Sequence, residues 1–272
     1  MSFRPIIIGS GFPAWSLLSK SLTSQREIHA SSFPIQSDTQ YFLEKYDSLN
    51  VADNIVDDRR ILRVILNSYG LGDDLENRFF IKTILNEGLS DPSALANKLA
   101  DRRYSLLASD FDFSTSPPAH KLQTGLAAKV VNRFQMQSFE EDVGAIDNSM
   151  RLALTFQRTL EDVADTSRSN SAAWFQVMAT PPLREVVQTA LGLPSEFANL
   201  DIDEQNQRLQ DKAQTVFGTN DVGELASKET SEQVIQRFLI VQQASQFAST
   251  SSLNIALTLL GGATASIQSI SR

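Results

Sequence analysis

The sequence predicts an all-α protein. Runs of β-branched residues alternating with polar ones are missing apart from Ile6-Ile7-Ile8, apolar residues recur at three- and four-residue spacing, and helix punctuation stands where those stripes begin and end. The pattern amounts to about a dozen helices in two lobes.

Residues 1–38 read as an N-terminal arm with a short helix, 39–113 as a first helical lobe, 114–247 as a second, and 248–272 as an uncharged C-terminal tail or helix. In the first lobe Ile61, Val64, Ile65 and Tyr69 form one helical stripe. Leu75, Phe79 or Phe80, Ile84 and Leu85 form a second, and Leu95, Leu99 and Leu106 a third. Asp91-Pro92 and Thr180-Pro181 each set a capping residue before a proline, which has no N–H to lose at the first helical position.

The turn formers between Asp110 and His120, with Pro117 and Pro118 among them, mark the lobe boundary. Beyond it Leu122, Leu126, Val130 or Val131 and Phe134 continue the helical period, followed after a break near Gly144 by Ile146, Met150, Leu154 and Leu160. Thr230-Ser231-Glu232-Gln233 reads as a capping box ahead of Val234, Ile235, Phe238 and Leu239. A weak repeat joins the lobes: Ile61, Val64, Ile65, Gly70, Leu71 and Leu75 correspond to Leu183, Val186, Val187, Gly192, Leu193 and Phe197 at a constant offset of 122 residues. The shared unit is a helix stopped by glycine, which duplication or convergence on a common helix ending explains equally well.

Composition narrows the function. With 24 Lys+Arg against 32 Asp+Glu the net charge is -8, a field that repels phosphate backbones and anionic membranes, so no nucleic-acid partner is expected. The absence of cysteine removes disulfides, thiolate metal sites and thiol nucleophiles. No cleaved secretory signal is expected, because Ile6-Ile7-Ile8 runs straight into Gly9, Gly11 and Pro13. No membrane span is expected either, since Gln242, Gln243, Gln246 and Asn254 interrupt the longest uncharged stretch. The compartment stays open, since a chain without thiols survives equally well in cytoplasm, periplasm or medium.

The segment Gly9-Ser10-Gly11-Phe12-Pro13-Ala14 after Ile6-Ile7-Ile8 imitates a dinucleotide fingerprint, in which glycines let backbone N–H groups approach a pyrophosphate at a helix N-terminus. Glu27 sits near the distance of the ribose-binding acid, but no strand carries it and no further βαβ unit follows. A flexible arm leading into an amphipathic helix is the expected reading, with nucleotide binding or enzymatic use of Gly9–Ala14, or of an acidic pair, as the alternative. His29 and His120 read as surface loop residues without ligand partners. Asp57-Asp58, Asp73-Asp74, Glu140-Glu141-Asp142 and Asp201, Asp203 with Glu204 read as helix caps and solvated turns. Arg59, Arg60 and Arg63 are expected to pair with Asp57, Asp58, Asp73 or Asp74. Neither catalytic residue, cofactor nor metal is expected.

Several motifs carry a family resemblance. They include Ala14-Trp15 with Gln25, Asp38-Thr39-Gln40-Tyr41-Phe42, Asp58-Arg59-Arg60-Ile61-Leu62-Arg63-Val64, Gly70-Leu71 and Asn77-Arg78-Phe79-Phe80-Ile81. Others are Ala96-Asn97-Lys98-Leu99-Ala100-Asp101, Arg103-Tyr104, Met150-Arg151-Leu152-Ala153-Leu154, Trp174-Phe175, Pro181-Pro182-Leu183-Arg184, Gly192-Leu193-Pro194 and Arg237-Phe238-Leu239. Together they resemble an alphaproteobacterial family, of a domain of unknown function, found among flagellar genes and sometimes labelled flagellar basal-body rod protein. That resemblance implies a structural or protein-binding role in a flagellum, and it carries over no catalytic residue. Family members often have Gly-Gly where this chain has Phe12-Pro13, so they do not keep the nucleotide-like spacing.

The expected contact elements are the two ends. Trp15 stands in the low-charge start of the chain, while Leu253, Leu257, Leu260 and Ile267 fall close to one helical stripe in the chargeless 248–271. Gly261-Gly262 weakens that stripe by about 1 kcal/mol per glycine, so 248–272, and with it 1–20, is expected to order against a protein partner or a second copy, with packing of the tail helix on its own lobe as the alternative.

Overall fold

A computed structural model describes residues 3–99 and 101–245, and among these residues there are helices and loops and no strand. In chain order the helices are α1 (Gly11–Ala30), α2 (Phe33–Tyr46), α3 (Asp53–Val56), α4 (Arg59–Ser68), α5 (Arg78–Glu87), α6 (Leu95–Lys98), α7 (Arg102–Asp110) and α8 (Ala119–Leu122). They continue with α9 (Leu126–Gly144), α10 (Asn148–Thr166), α11 (Asn170–Ala179), α12 (Pro181–Ala190), α13 (Ile202–Phe217), α14 (Val222–Ala226) and α15 (residues 228–245). Single 3₁₀ turns at Gly72–Asp74 and Ser195–Asn199 follow α4 and α12.

Short polar side chains start these helices. Asp58 accepts the N–H groups of Arg60 and Ile61 at the head of α4, Asp147 those of Ser149 and Met150 at α10, and Asp201 that of Asp203 at α13. At α12 a proline replaces the side-chain cap, since Pro181 opens the helix while the Thr180 hydroxyl donates back to the Gln176 carbonyl at 2.8 Å. The capping box expected at Thr230 lies one turn inside α15, because Ser227 is the residue whose hydroxyl accepts the Thr230 N–H. Asp91-Pro92 likewise starts no helix. Its carboxylate accepts the Ser93 N–H in a turn, and helix resumes only for the four residues of α6. The expected Leu95–Leu99–Leu106 stripe is therefore split between α6 and α7, with Leu106 exposed.

Both members of the expected repeat end alike. Gly70 N–H donates to Asn67 O and Leu71 N–H to Leu66 O; Gly192 N–H donates to Thr189 O and Leu193 N–H to Gln188 O. Each glycine has the positive φ that this ending requires, +69° and +65°. Each helix also packs on one of the two longest helices of the middle of the chain, α4 on α9 and α12 on α10.

The buried apolar residues gather in two main clusters. One is built from residues 42–134 around Phe42, Ile61, Ile65, Leu85 and Phe111. The other joins Ala14, Trp15 and Leu18 of α1 to residues 139–239, around Phe156, Trp174 and Phe238. The change-over falls inside α9, whose Leu126, Val130 and Phe134 belong to the first cluster and Phe139 and Val143 to the second. The 110–120 segment lies within the first cluster, with Phe111 and His120 buried. A boundary at residue 38 would cut through α2. At the centre α10 buries Leu152 to Phe156 without a break, as a helix covered on all sides must, whereas the expected stripe residue Ile146 is exposed.

Candidate functional site

The first chemistry-bearing cluster forms where α2 crosses α4. Asp38 and Tyr41 stand one turn apart on α2, and Arg60 and Arg63 one turn apart on α4, so both pairs face each other across the crossing. Arg60 Nε donates to Asp38 Oδ1 at 3.0 Å and its Nη2 to Ser37 Oγ at 2.9 Å, while Arg63 Nη2 donates to Asp38 Oδ2. The Arg60 guanidinium lies 4.2 Å over the Tyr41 ring, and Tyr41 in turn donates its hydroxyl to Asp58 Oδ2 at 2.6 Å. Burial works against the Asp58 charge, but the Tyr41 hydroxyl and the Ile61 and Arg60 N–H groups outweigh it and hold the carboxyl below its ordinary value. A carboxylate so saturated caps a helix well and takes up a proton poorly.

The arginines thus pair within the chain as expected, but with other partners: Arg60 and Arg63 share Asp38, and Arg59 reaches Glu76 at 2.6 Å. Beside them an open depression of about 550 Å³ is lined by Asp53, Asn54, Asp57, Asp58, Arg59 and Arg60. Its charges are largely engaged, Asp53 by Lys82, Arg59 by Glu76 and Arg60 by Asp38. Asp38→Ala is expected to lower stability by about 1–2 kcal/mol, less than a fully buried pair would lose because both arginines are some two-fifths exposed; urea titration measures it.

The second cluster is buried at the junction of α9 and α10. Glu140 is completely covered and accepts Arg158 Nε at 2.8 Å, Arg158 Nη2 at 2.9 Å and the Thr155 hydroxyl at 2.9 Å. Arg26 of α1 feels the same carboxylate and lies 5.9 Å over the Phe139 ring. Glu140, expected among solvated caps, is instead the deepest carboxylate here. Its i, i+15 and i, i+18 partners on another helix leave no local signature in sequence.

The two histidines also depart from expectation. His29 is buried on α1, its Nε2 3.3 Å from Asp142 Oδ2 and its ring edge-on to Phe3 and Phe139. His120 is buried in an aromatic box. The other acidic pairs divide between caps and side-chain partners: Asp58 and Asp201 cap α4 and α13, Asp74 accepts the Tyr104 hydroxyl at 2.5 Å, and Glu204 pairs with Arg208 one turn on. Among the described residues no group of three or more His, Asp or Glu converges as a metal site.

The segment resembling a dinucleotide fingerprint is not preceded by a strand. Residues 3–8 run back along α1, where Ile6 N–H donates to Gln25 Oε1 at 2.8 Å and Gln25 Nε2 to Ile6 O at 3.2 Å. Gly11 opens α1 against the Gln243 side chain of α15, whose Oε1 lies 2.7 Å from where a Cβ on Gly11 would stand. Trp15, expected at a contact surface, has no exposed surface: its ring fills the second cluster and its Nε1 donates to Glu232 Oε1 at 3.0 Å. Leu253, Leu257, Leu260 and Ile267 lie outside the described residues.

Among the described residues no helix is long and apolar enough to cross a membrane. A family profile described as "Protein of unknown function (DUF1217)" matches residues 68–243, which takes in part of the first cluster and all of the second but its α1 residues. A crystal structure of a protein from Agrobacterium tumefaciens is similar to the chain at 26% sequence identity and a TM-score of 0.70, covering 88% of this chain and 96% of that one. No curated protein matches.

Proposed function

We propose that this chain, which belongs to the DUF1217 family, works by binding another protein in the assembly or structure of a bacterial flagellum, and not by catalysis. The flagellar setting comes from the sequence resemblance. The observation that carries the binding role is exposed apolar surface at the start of the chain: Leu17 and Ile28 lie three turns apart on one face of α1 with Ser21 and Ser24 between them, Ile6 is exposed on the segment tied to Gln25, and Phe33 follows at 76% exposure. Scattered apolar residues on a surface are ordinary, whereas a set gathered on one helix and its strap is the form that a partner helix or groove covers. Leu253, Leu257, Leu260 and Ile267 would supply a second contact of the same kind.

Removing 248–272 tests the role of the tail. The truncated protein is expected to melt within about 0.5 kcal/mol of the full chain and to fail to restore motility in a flagellated cell lacking its own copy. A large fall in melting temperature with motility retained would assign the segment to the protein's own core. Leu17→Glu with Ile28→Glu examines the other end by the same pair of measurements.

A further inference from the structure

His120 sits in α8 with 1% of its surface exposed, and neither ring nitrogen has a hydrogen-bond partner among the described residues. Phe111 stacks on the ring at 5.5 Å, Tyr46 meets it edge-on at 5.4 Å, and Phe113 is tilted against it at 5.4 Å. A neutral imidazole carries one donor and one acceptor, and burying both bare is a cost that folded proteins rarely retain. The segment around it is tied to the rest of the chain by few bonds: Tyr46 donates its hydroxyl to His120 O at 3.0 Å, Phe113 N–H donates to Leu85 O at 2.9 Å, and Lys121 Nζ donates to Asn50 Oδ1, while Ala119 N–H donates to Asp112 O within the segment. Its outer face, at 114–116, is exposed.

The charged groups around the ring do not offer a proton a counterion. Asp47, at the end of α2, favours the charged form, and Lys121 on α8 itself opposes it. Asp110, at the end of α7, is taken by the Tyr69 hydroxyl and by Arg133 of α9. Asp112 accepts the Ser114 N–H at 2.7 Å, and Lys45 of α2 lies over the Tyr41 ring. The Leu49 carbonyl pulls towards the charged form without meeting hydrogen-bond geometry. Burial outweighs all of these and keeps the imidazole below its ordinary value. The Phe111 face gives a cation less than the water it would forgo.

We propose that residues 111–122 form a proton-operated latch, closed by the neutral His120 ring in its Tyr46–Phe111–Phe113 box and released when that ring is protonated, which uncovers Phe111 and Phe113. Above about pH 6.5 closed and open states are both neutral and pH has no effect. Below it the open state takes the proton and the closed state does not, so opening rises about tenfold per pH unit until the depressed value of the closed ring is reached. Between about pH 7.5 and 5.0 the opening equilibrium should grow, by at most about 30-fold.

Hydrogen exchange of the full chain at those two pH values, corrected for intrinsic exchange chemistry, tests the latch. The amides of 111–122 are expected to show that increase, severalfold and at most about 30-fold, while those of α10 do not. His120→Phe should abolish the pH dependence, and His29→Phe should leave it in place. Opening of all helices together, no change at 111–122, or a pH response retained in His120→Phe would overturn the latch. Should His120→Phe fail to fold, the NMR titration of the wild-type His120 ring decides. A ring that takes its proton together with the opening of 111–122 supports the latch, and a ring that titrates at about pH 6.5 or above with the segment still protected overturns it.

Discussion

Glu140→Ala is expected to cost about 2–4 kcal/mol of stability, because it removes the counter-charge from an arginine that is three-quarters covered, with 24% of its side chain exposed. Burial disfavours the Arg158 charge, and the hydrogen bonds and charge of Glu140 more than compensate, raising its pKa above the ordinary value. Without that carboxylate Arg158 and Arg26 would face each other as two cations in a junction where Glu140 is the one acid fully covered among the described residues. The double variant Glu140→Leu with Arg158→Met should recover most of the loss, since an apolar pair of similar volume often replaces a buried ion pair at little net cost. Urea unfolding of the two single variants and the double variant measures the coupling. A single-variant loss under about 1 kcal/mol would mean that solvent reaches this junction and that the pair is a surface contact in energetic terms.

Trp15→Ala should be at least as damaging, at about 3–5 kcal/mol, which for a chain of this size is a fall of roughly 6–20 °C in melting temperature. The ring is fully covered, and its Nε1 bond to Glu232 joins α1 to α15. Trp15→Phe keeps most of the apolar contact and loses that bond, so it should cost markedly less. Trypsin cleavage at Lys20 and Arg26 should accelerate in the alanine variant as α1 loosens. An alanine variant that melts with the wild type would show that α1 adds nothing to the second cluster.

The fold class was legible because apolar spacing and capping chemistry are local. Asp58 and Asp201 act where a sequence reader places them, and Gly70 and Gly192 stop their helices with the hydrogen bonds that the motif requires. What failed were inferences in which tertiary contacts override a local signal. Asp91-Pro92 offers a good helix start, yet the chain turns there. Histidines beside Ser, Pro or Ala look exposed, yet aromatic rings enclose both. Glu140 looks like one of three solvated acids, yet it is the one that points at Arg158. The Asp38–Arg60–Arg63 clamp had a readable signal in its matched three-residue spacings, Asp38 to Tyr41 and Arg60 to Arg63, but nothing in the sequence says that those two faces meet.

The bond from Trp15 to Glu232 spans 217 residues, which sets an order of events during synthesis. The first cluster draws on residues 42–134 alone and can close while the ribosome is still at work. Trp15 leaves the ribosome before any of that cluster, but its own place is completed by α15, made long after the first cluster has closed. At ordinary translation rates of about 5–20 residues per second, the indole waits roughly 10–40 s for its carboxylate. In the latter part of that interval, once residue 134 has emerged, the nascent chain can carry a closed first cluster beside an N-terminal helix that α15 has yet to cover, the state in which a chaperone would meet it.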